Sequence, residues 1–407
     1  MLANTEQPFT LSVAEGDIAL LHKKLDLARF PGGLEEADWD YGAALADVKR
    51  LAEHWRWTFD WRKAEGEINK LPMFTRDITV DGFGSLNIHY IHQKSEVGHA
   101  IPLLFVHGWP GHFLEVRKML PLLTARSPEH PSFHVVALSL PGFGFSEAPK
   151  MPGFAGRYYA EVFNKLMCSL GYDEYVYQGG DWGHVLGLHA VTHDRGKHSI
   201  KAWHTNTPVA RPPALLSHPL LFLDMLTIPF KTTVQADVEH NKKLLKTGFG
   251  YLSIQSTKPH TLGFSLADSP VGLLAWIYEK LVSWSDNYPW TDDEVIEWVS
   301  IYWFSRAGPD AAQRIYYEMT SGGTHDVFEG AKWTDVPLGV SYFPQEIVRL
   351  PRSWSHMLGH LVFESVHGYG GHFAAFERPE ELASDLRVMF GNGGLAHGVA
   401  SGKRGYD

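Results

Sequence analysis

The sequence predicts an α/β protein, a mostly parallel sheet flanked by helices, from three observations. From residue 101 the chain repeats the pattern strand, loop, helix, which builds a parallel sheet with helices on its faces. The strand candidates include unbroken apolar runs such as Pro102 to Val106, as expected of strands covered on both faces. A third run, Glu174 to Gln178, leads into Gly179-Gly180-Asp181-Trp182-Gly183, a sharp strand-to-helix turn.

The N-terminal elements are helices and then a hairpin. Ser12-Val13-Ala14-Glu15 reads as a capping box opening a helix with Ile18, Leu21 and Leu25 on one face. Leu45, Val48, Ala52 and Trp55 repeat that period in a second helix. Thr75 to Gln93 alternates in strand fashion around the turn Asp81-Gly82. These first residues carry no catalytic-looking cluster, so their expected role is to pack against the rest of the chain. The strand Pro102 to Val106 ends in His107-Gly108-Trp109-Pro110-Gly111, and the strand Phe133 to Leu140 ends in Pro141-Gly142-Phe143-Gly144-Phe145-Ser146. The last of these is not a dinucleotide loop, because Glu147 stands at the third glycine position. A helix starting near His184 comes after the Asp181 turn, then the strand Ile200 to His204 and, near the C-terminus, the strand Leu361 to Val366.

Composition narrows the class. With 407 residues, 44% hydrophobic and 13% aromatic, the chain can bury a large core holding one domain with insertions, or two domains. A net charge of −10 leaves no basic footprint for nucleic acid. The one cysteine, Cys168, excludes an intrachain disulfide and reads as a small buried residue. Met1-Leu2-Ala3-Asn4-Thr5-Glu6 lacks the pattern of a secretory signal, and no apolar run reaches the roughly 18 residues of a membrane span. A soluble cytoplasmic protein is the expectation. The 23 histidines are scattered, without His-Glu-x-x-His or paired Cys-x-x-Cys spacing, so no metal and no cofactor is expected.

The chemistry is read from Asp181. In this turn a serine makes acyl-enzymes, whereas a carboxylate attacks an sp³ carbon and leaves an alkyl-enzyme ester, which points to an epoxide or an alkyl halide. Gly179 and Gly183 supply the room that a strained nucleophile turn needs. Hydrolysis of such an ester requires an oxyanion hole and a histidine base held by an acid. The backbone amides of Trp109 and Trp182 are the candidates for the hole, and His107 is left out of catalysis as a residue that orders its loop. His372, in Gly370-Gly371-His372-Phe373, is the candidate base. The order nucleophile, acid, histidine places the acid between them at Glu346, in preference to Glu364 inside the last strand and to Asn206, which carries no charge.

Together with Trp39-Asp40-Tyr41-Gly42, Phe59-Asp60-Trp61-Arg62 and Phe343-Pro344-Gln345-Glu346, these motifs resemble the epoxide hydrolases of the α/β-hydrolase fold, specifically the microsomal-type branch that includes the fungal soluble enzymes. The likeness runs over nearly the whole chain, with one departure: membrane-bound relatives carry an N-terminal anchor helix and this chain starts with none. The resemblance implies an N-terminal meander over residues 1–95, an α/β-hydrolase core over 96–206 and 335–400, and an inserted helical lid over 207–334. Pro270 to Trp284 and Asp292 to Phe304 fit lid helices by their apolar spacing.

The resemblance also implies that two lid tyrosines, matching Tyr251 and Tyr316, hold the epoxide oxygen while Asp181 attacks; Tyr317 rivals Tyr316 by a one-residue shift. A phenol of pKa about 10 stays protonated at neutral pH and so can donate. The expected substrate is a small epoxide, apolar or aryl given the aromatic lid, and the product a vicinal diol. Two alternatives stand beside this reading: a haloalkane dehalogenase, and a catalytically silent ligand-binding protein of the same fold. Oligomeric state is open between a monomer and a homodimer formed through the lid or meander.

Overall fold

The computed structural model describes residues 5–34, 38–192, 196–323, 326–329 and 332–407. Met1 to Asn4, part of the stretch read as lacking a secretory signal, lie outside them. A nine-stranded sheet forms the centre. Its strands are β1 (Gln7–Pro8), β2 (Met73–Val80), β3 (Gly84–Gln93), β4 (Ile101–Val106), β5 (Phe133–Leu138), β6 (Tyr175–Gly179), β7 (Ile200–Thr205), β8 (Pro337–Tyr342) and β9 (His360–Val366), in the spatial order β1-β2-β3-β5-β4-β6-β7-β8-β9. The first three pair antiparallel and β3 joins β5 antiparallel; every pairing from β5 to β9 is parallel. All six residues of β4 and all five of β6 are buried, which is why β4 reads as an unbroken apolar run.

The register sets up the site. Val106 lies beside Gly179, and Gln178 beside His204, so β4, β6 and β7 end at nearly one level. Beyond β8 and β9 an isolated parallel bridge joins Gln345 to Gly371 and brings the two C-terminal loops together. In open parallel sheets ligands bind at this carboxyl edge, where the connecting loops diverge.

The N-terminal segment does two different things. Its helices pack on the inserted helical region: Trp39 lies 5.5 Å from Tyr278, Trp61 lies 4.8 Å from Phe304 and Trp55 lies 6.5 Å from Trp303 between ring centres. Its hairpin instead extends the core sheet through β3, so residue 95 falls between two strands of one sheet. The expected capping box at Ser12 does not form. The Leu11 and Val13 amides donate to Asn69 Oδ1 (2.8 Å) and Glu65 Oε1 (2.7 Å), which hold the chain off helical geometry until Glu15, capped by Ala14 without a side-chain bond. A capping box does form at Thr291 and Glu294, where it starts the helix Asp292–Trp303.

Between β7 and β8 the chain makes the helices Pro219–Thr227, Thr232–Lys243, Gly250–Thr257, Pro259–Asp268, Pro270–Ser283, Asp292–Trp303 and Arg314–Thr320. Leu273, Leu274, Ile277 and Leu281 form one buried stripe of the Pro270 helix, as its period predicts. Among the described residues, no helix is long and apolar enough to cross a membrane.

Candidate active site

Asp181 sits in left-handed backbone conformation, φ +49°, between β6 and the helix Trp182–Thr192, which starts two residues earlier than His184. Such a conformation costs energy in a non-glycine residue and persists only where its surroundings impose it. Here the constraint is visible at Gly183: a Cβ there would lie 2.2 Å from the carbonyl oxygen of Val106 in the neighbouring strand. The turn therefore tolerates no side chain at that position.

The Trp109 amide donates to Asp181 Oδ1 at 2.8 Å. Trp182 is the first residue of its helix, so its amide has no acceptor within the helix and lies at the positive end of the helix dipole. His107 is buried; the Leu140 amide donates to its Nε2 at 3.2 Å, and its Nδ1 lies 2.9 Å from the Gly108 carbonyl oxygen. Burial pushes its pKa down to about 4, so it ties two loops together as a neutral ring.

His372 comes after β9. Its amide donates to the Trp284 carbonyl at 2.9 Å, its Nδ1 lies 2.5 Å from Glu346 Oε1, and its Nε2 lies 3.4 Å from Asp181 Oδ2. Glu346 is held from two further sides, by the Ile347 amide (2.7 Å) and by the Thr207 hydroxyl (2.8 Å). Burial alone disfavours a charged His372, but the Glu346 charge and the hydrogen bonds to both carboxylates outweigh it and hold its pKa well above the ordinary histidine value. The resting ring is thus an imidazolium between two carboxylates.

Of the competing acids, Glu364 is exposed on β9 and accepts from the Tyr342 hydroxyl at 2.8 Å. Asn206 lies beside Gly180 and accepts from the Gln178 side chain at 2.8 Å. Thr207, next in the chain, carries no mark in the sequence. A hydroxyl residue just past a strand is too common a signal to single it out.

Tyr251 and Tyr316 come from the short helices Gly250–Thr257 and Arg314–Thr320, which pack together. Both rings are buried, 6.0 Å apart between centres at 84°. Tyr251 stacks on Trp109 at 5.4 Å, and Tyr316 meets Trp182 edge to face at 4.8 Å. Burial, reinforced by the Asp181 charge, raises both phenols above their ordinary value and keeps them protonated. Tyr317 is 41% exposed and does not reach the cavity.

Asp181, Trp182, Tyr251, Tyr316, Glu346 and His372 all line one cavity of ≈ 160 Å³. Its other walls are mostly apolar, with Val185, Phe249, Leu252, Phe328, Ile347 and Val348. A carboxylate thus shares one cavity with two buried phenols, with a carboxylate-held imidazole beside it. That arrangement can attack a carbon on one side while hydrogen-bonding an oxygen on the other.

Comparison with known proteins agrees with the architecture. The family model described as "Epoxide hydrolase N terminus" matches residues 6–116, and that described as "alpha/beta hydrolase fold" matches residues 101–250. The chain is 36% identical to a putative epoxide hydrolase of Stigmatella aurantiaca, over 94% of this chain and 84% of that one. It is 35% identical to epoxide hydrolase 1 of Sus scrofa, over 95% of this chain and 88% of the relative. Among solved structures, Aspergillus niger epoxide hydrolase superposes with a TM-score of 0.80 at 33% identity, covering 94% of this chain and 95% of the other. The juvenile hormone epoxide hydrolase of Bombyx mori superposes with a TM-score of 0.83 at 31% identity, covering 94% and 93%. With relatives of this similarity along nearly its whole length, the chain belongs to the epoxide hydrolase family and carries an α/β-hydrolase fold.

Proposed function

We propose that this chain converts small epoxides to vicinal diols through a covalent ester on Asp181. The observation that carries the proposal is the pair of buried phenols, Tyr251 and Tyr316, sharing one apolar cavity with Asp181 and His372. Asp181 Oδ2 attacks an epoxide carbon, the ring C–O bond breaks, and the oxygen takes a proton from the tyrosine pair. Esterification removes the Asp181 charge, one of the influences that hold the His372 pKa up, so the imidazolium gives up its proton, which restores the phenol, and the neutral imidazole becomes free to act as a base. It takes a proton from water as the water oxygen bonds to Cγ of Asp181, and the Trp109 and Trp182 amides hold the oxyanion. The ester C–O bond then breaks, His372 returns its proton to the departing alkoxide, and the remaining proton on Asp181 passes to His372 and restores the imidazolium.

The division of labour runs along the chain: residues 96–206 and 335–400 as core, 207–334 as the lid bearing the donors, and 1–95 as the meander. The apolar cavity walls favour apolar or aryl epoxides. The lone Cys168, a free thiol, suits a soluble cytoplasmic enzyme.

The test is incubation with racemic styrene oxide, following diol formation and the enantiomeric excess of remaining epoxide. Diol at rates above the background of buffer is expected. Halide release from a haloalkane without any diol would select the dehalogenase instead, and tight epoxide binding without turnover would select the silent receptor.

The tyrosines give a second expected result. Tyr251→Phe and Tyr316→Phe each slow single-turnover ester formation on the order of 10- to 100-fold, since each removes one donor to a developing alkoxide. Tyr317→Phe leaves the rate within about 2-fold, as expected for a substitution away from such sites. A Tyr317 variant slower than the Tyr316 variant would overturn the assignment.

A further inference from the structure

A second, smaller void touches Asp181 and His372 but neither tyrosine. It offers ≈ 10 Å³ to the centre of a water molecule, about the space that one water requires. Glu115 supplies an acid in its wall, from the short 3-10 turn Phe113–Val116 whose other three residues are buried in the core. A Cβ on Gly111 would fall 1.5 Å from Glu115 Oε1, so the glycine leaves open the space in which this carboxyl lies. Burial pushes the carboxyl up to about 8; His372 pulls against that shift, the Asp181 charge adds to it, and a hydrogen bond from the His112 backbone opposes it. Near neutral pH the group is therefore mostly an uncharged acid with a free carbonyl lone pair. The ester mechanism leaves it without a role.

We propose that Glu115 is the positioning residue for the hydrolytic water, its carboxyl oxygen and His372 Nε2 accepting the two hydrogens of one water in this void. An oxygen lone pair is then left for Cγ of Asp181. One water proton passes to His372, the new O–C bond forms at Asp181, and the ester C–O bond breaks; Glu115 neither gains nor loses a proton. The inference rests on the covalent-ester reading. Two buried acceptors fixing one water convert a bimolecular attack into an oriented one.

The test separates the two half-reactions. Glu115→Leu, Glu115→Gln and His372→Gln are mixed with styrene oxide, quenched at intervals, and the ester is followed by intact mass. In Glu115→Leu the ester forms within about 3-fold of the wild-type rate but decays on the order of 10- to 100-fold more slowly, so kcat and KM fall together. Glu115→Gln keeps the acceptor oxygen and recovers most of the decay rate. Glu115→Ala repeats the comparison without adding bulk to the loop, in case the leucine perturbs folding. Wild-type decay in both apolar variants overturns the proposal, as does equal slowing of formation and decay, or a glutamine variant as slow as the leucine. If neither His372→Gln nor the wild-type enzyme quenched during turnover carries the ester, the Asp181 ester reading fails and this inference falls with it; ester in His372→Gln with unaltered Glu115→Leu decay overturns this inference alone.

Discussion

Replacing Asp181 by alanine is expected to abolish diol formation, with turnover falling on the order of 10⁵-fold or more, the scale at which loss of a nucleophile removes the covalent route. Among the described residues, no other carboxylate lines the main cavity except Glu346, and that group is occupied by His372, Ile347 and Thr207. The variant should keep its fold, because the turn is set by β6 and by the close approach of Gly183 to β4 and not by the carboxylate itself. Circular dichroism checks the fold and chromatography of the diol checks the activity. Turnover retained within about 10-fold would place the nucleophile elsewhere, since that loss is far below what removing one costs.

The second large effect is at His372. His372→Gln is expected to lower steady-state turnover on the order of 10³- to 10⁴-fold while the protein gains the mass of one epoxide, carried on the peptide that contains Asp181. The two outcomes separate because, in the proposed mechanism, attack by the Asp181 carboxylate needs no base, whereas water needs one. Glutamine roughly fills the imidazole's place and cannot accept a proton at neutral pH. Complete turnover with no mass gain would show that some other group activates water; no turnover and no mass gain would show that the ring is needed for the first step as well.

Much of this site is legible in the sequence. The Asp181 turn is local: a buried strand, glycines where neighbouring backbone crowds in, and a helix after it are all written in adjacent residues. Glu346 and His372 can be chosen because chain order and strand ends limit the candidates. Glu364 is discounted by its place within a strand, and it does accept from Tyr342 instead of His372. The tyrosines are different. Sixteen tyrosines offer no local mark of a donor, and only a family resemblance selects Tyr251 and Tyr316.

One sequence expectation fails. The Ser12 capping box has the right letters, yet Glu65 and Asn69, distant in sequence, claim the nearby amides and move the helix start. There a long-range hydrogen bond outweighs the local preference. The hairpin, read as packing against the rest of the chain, meets it by pairing its edge with β5.

By itself, then, the sequence determined the candidate nucleophile, the order of the catalytic candidates and the parallel core, because each is encoded in neighbouring residues or in chain order. Tertiary structure decided the rest: that Tyr316 and not Tyr317 enters the cavity, and that Glu115 reaches a void beside Asp181. Adjacent residues on a helix point about 100° apart, so which one meets the nucleophile depends on how the lid helix is rotated against the core. That rotation is set by packing among residues far apart in the chain, and Glu115 likewise finds its place only through the space left by Gly111 and the site that closes around it.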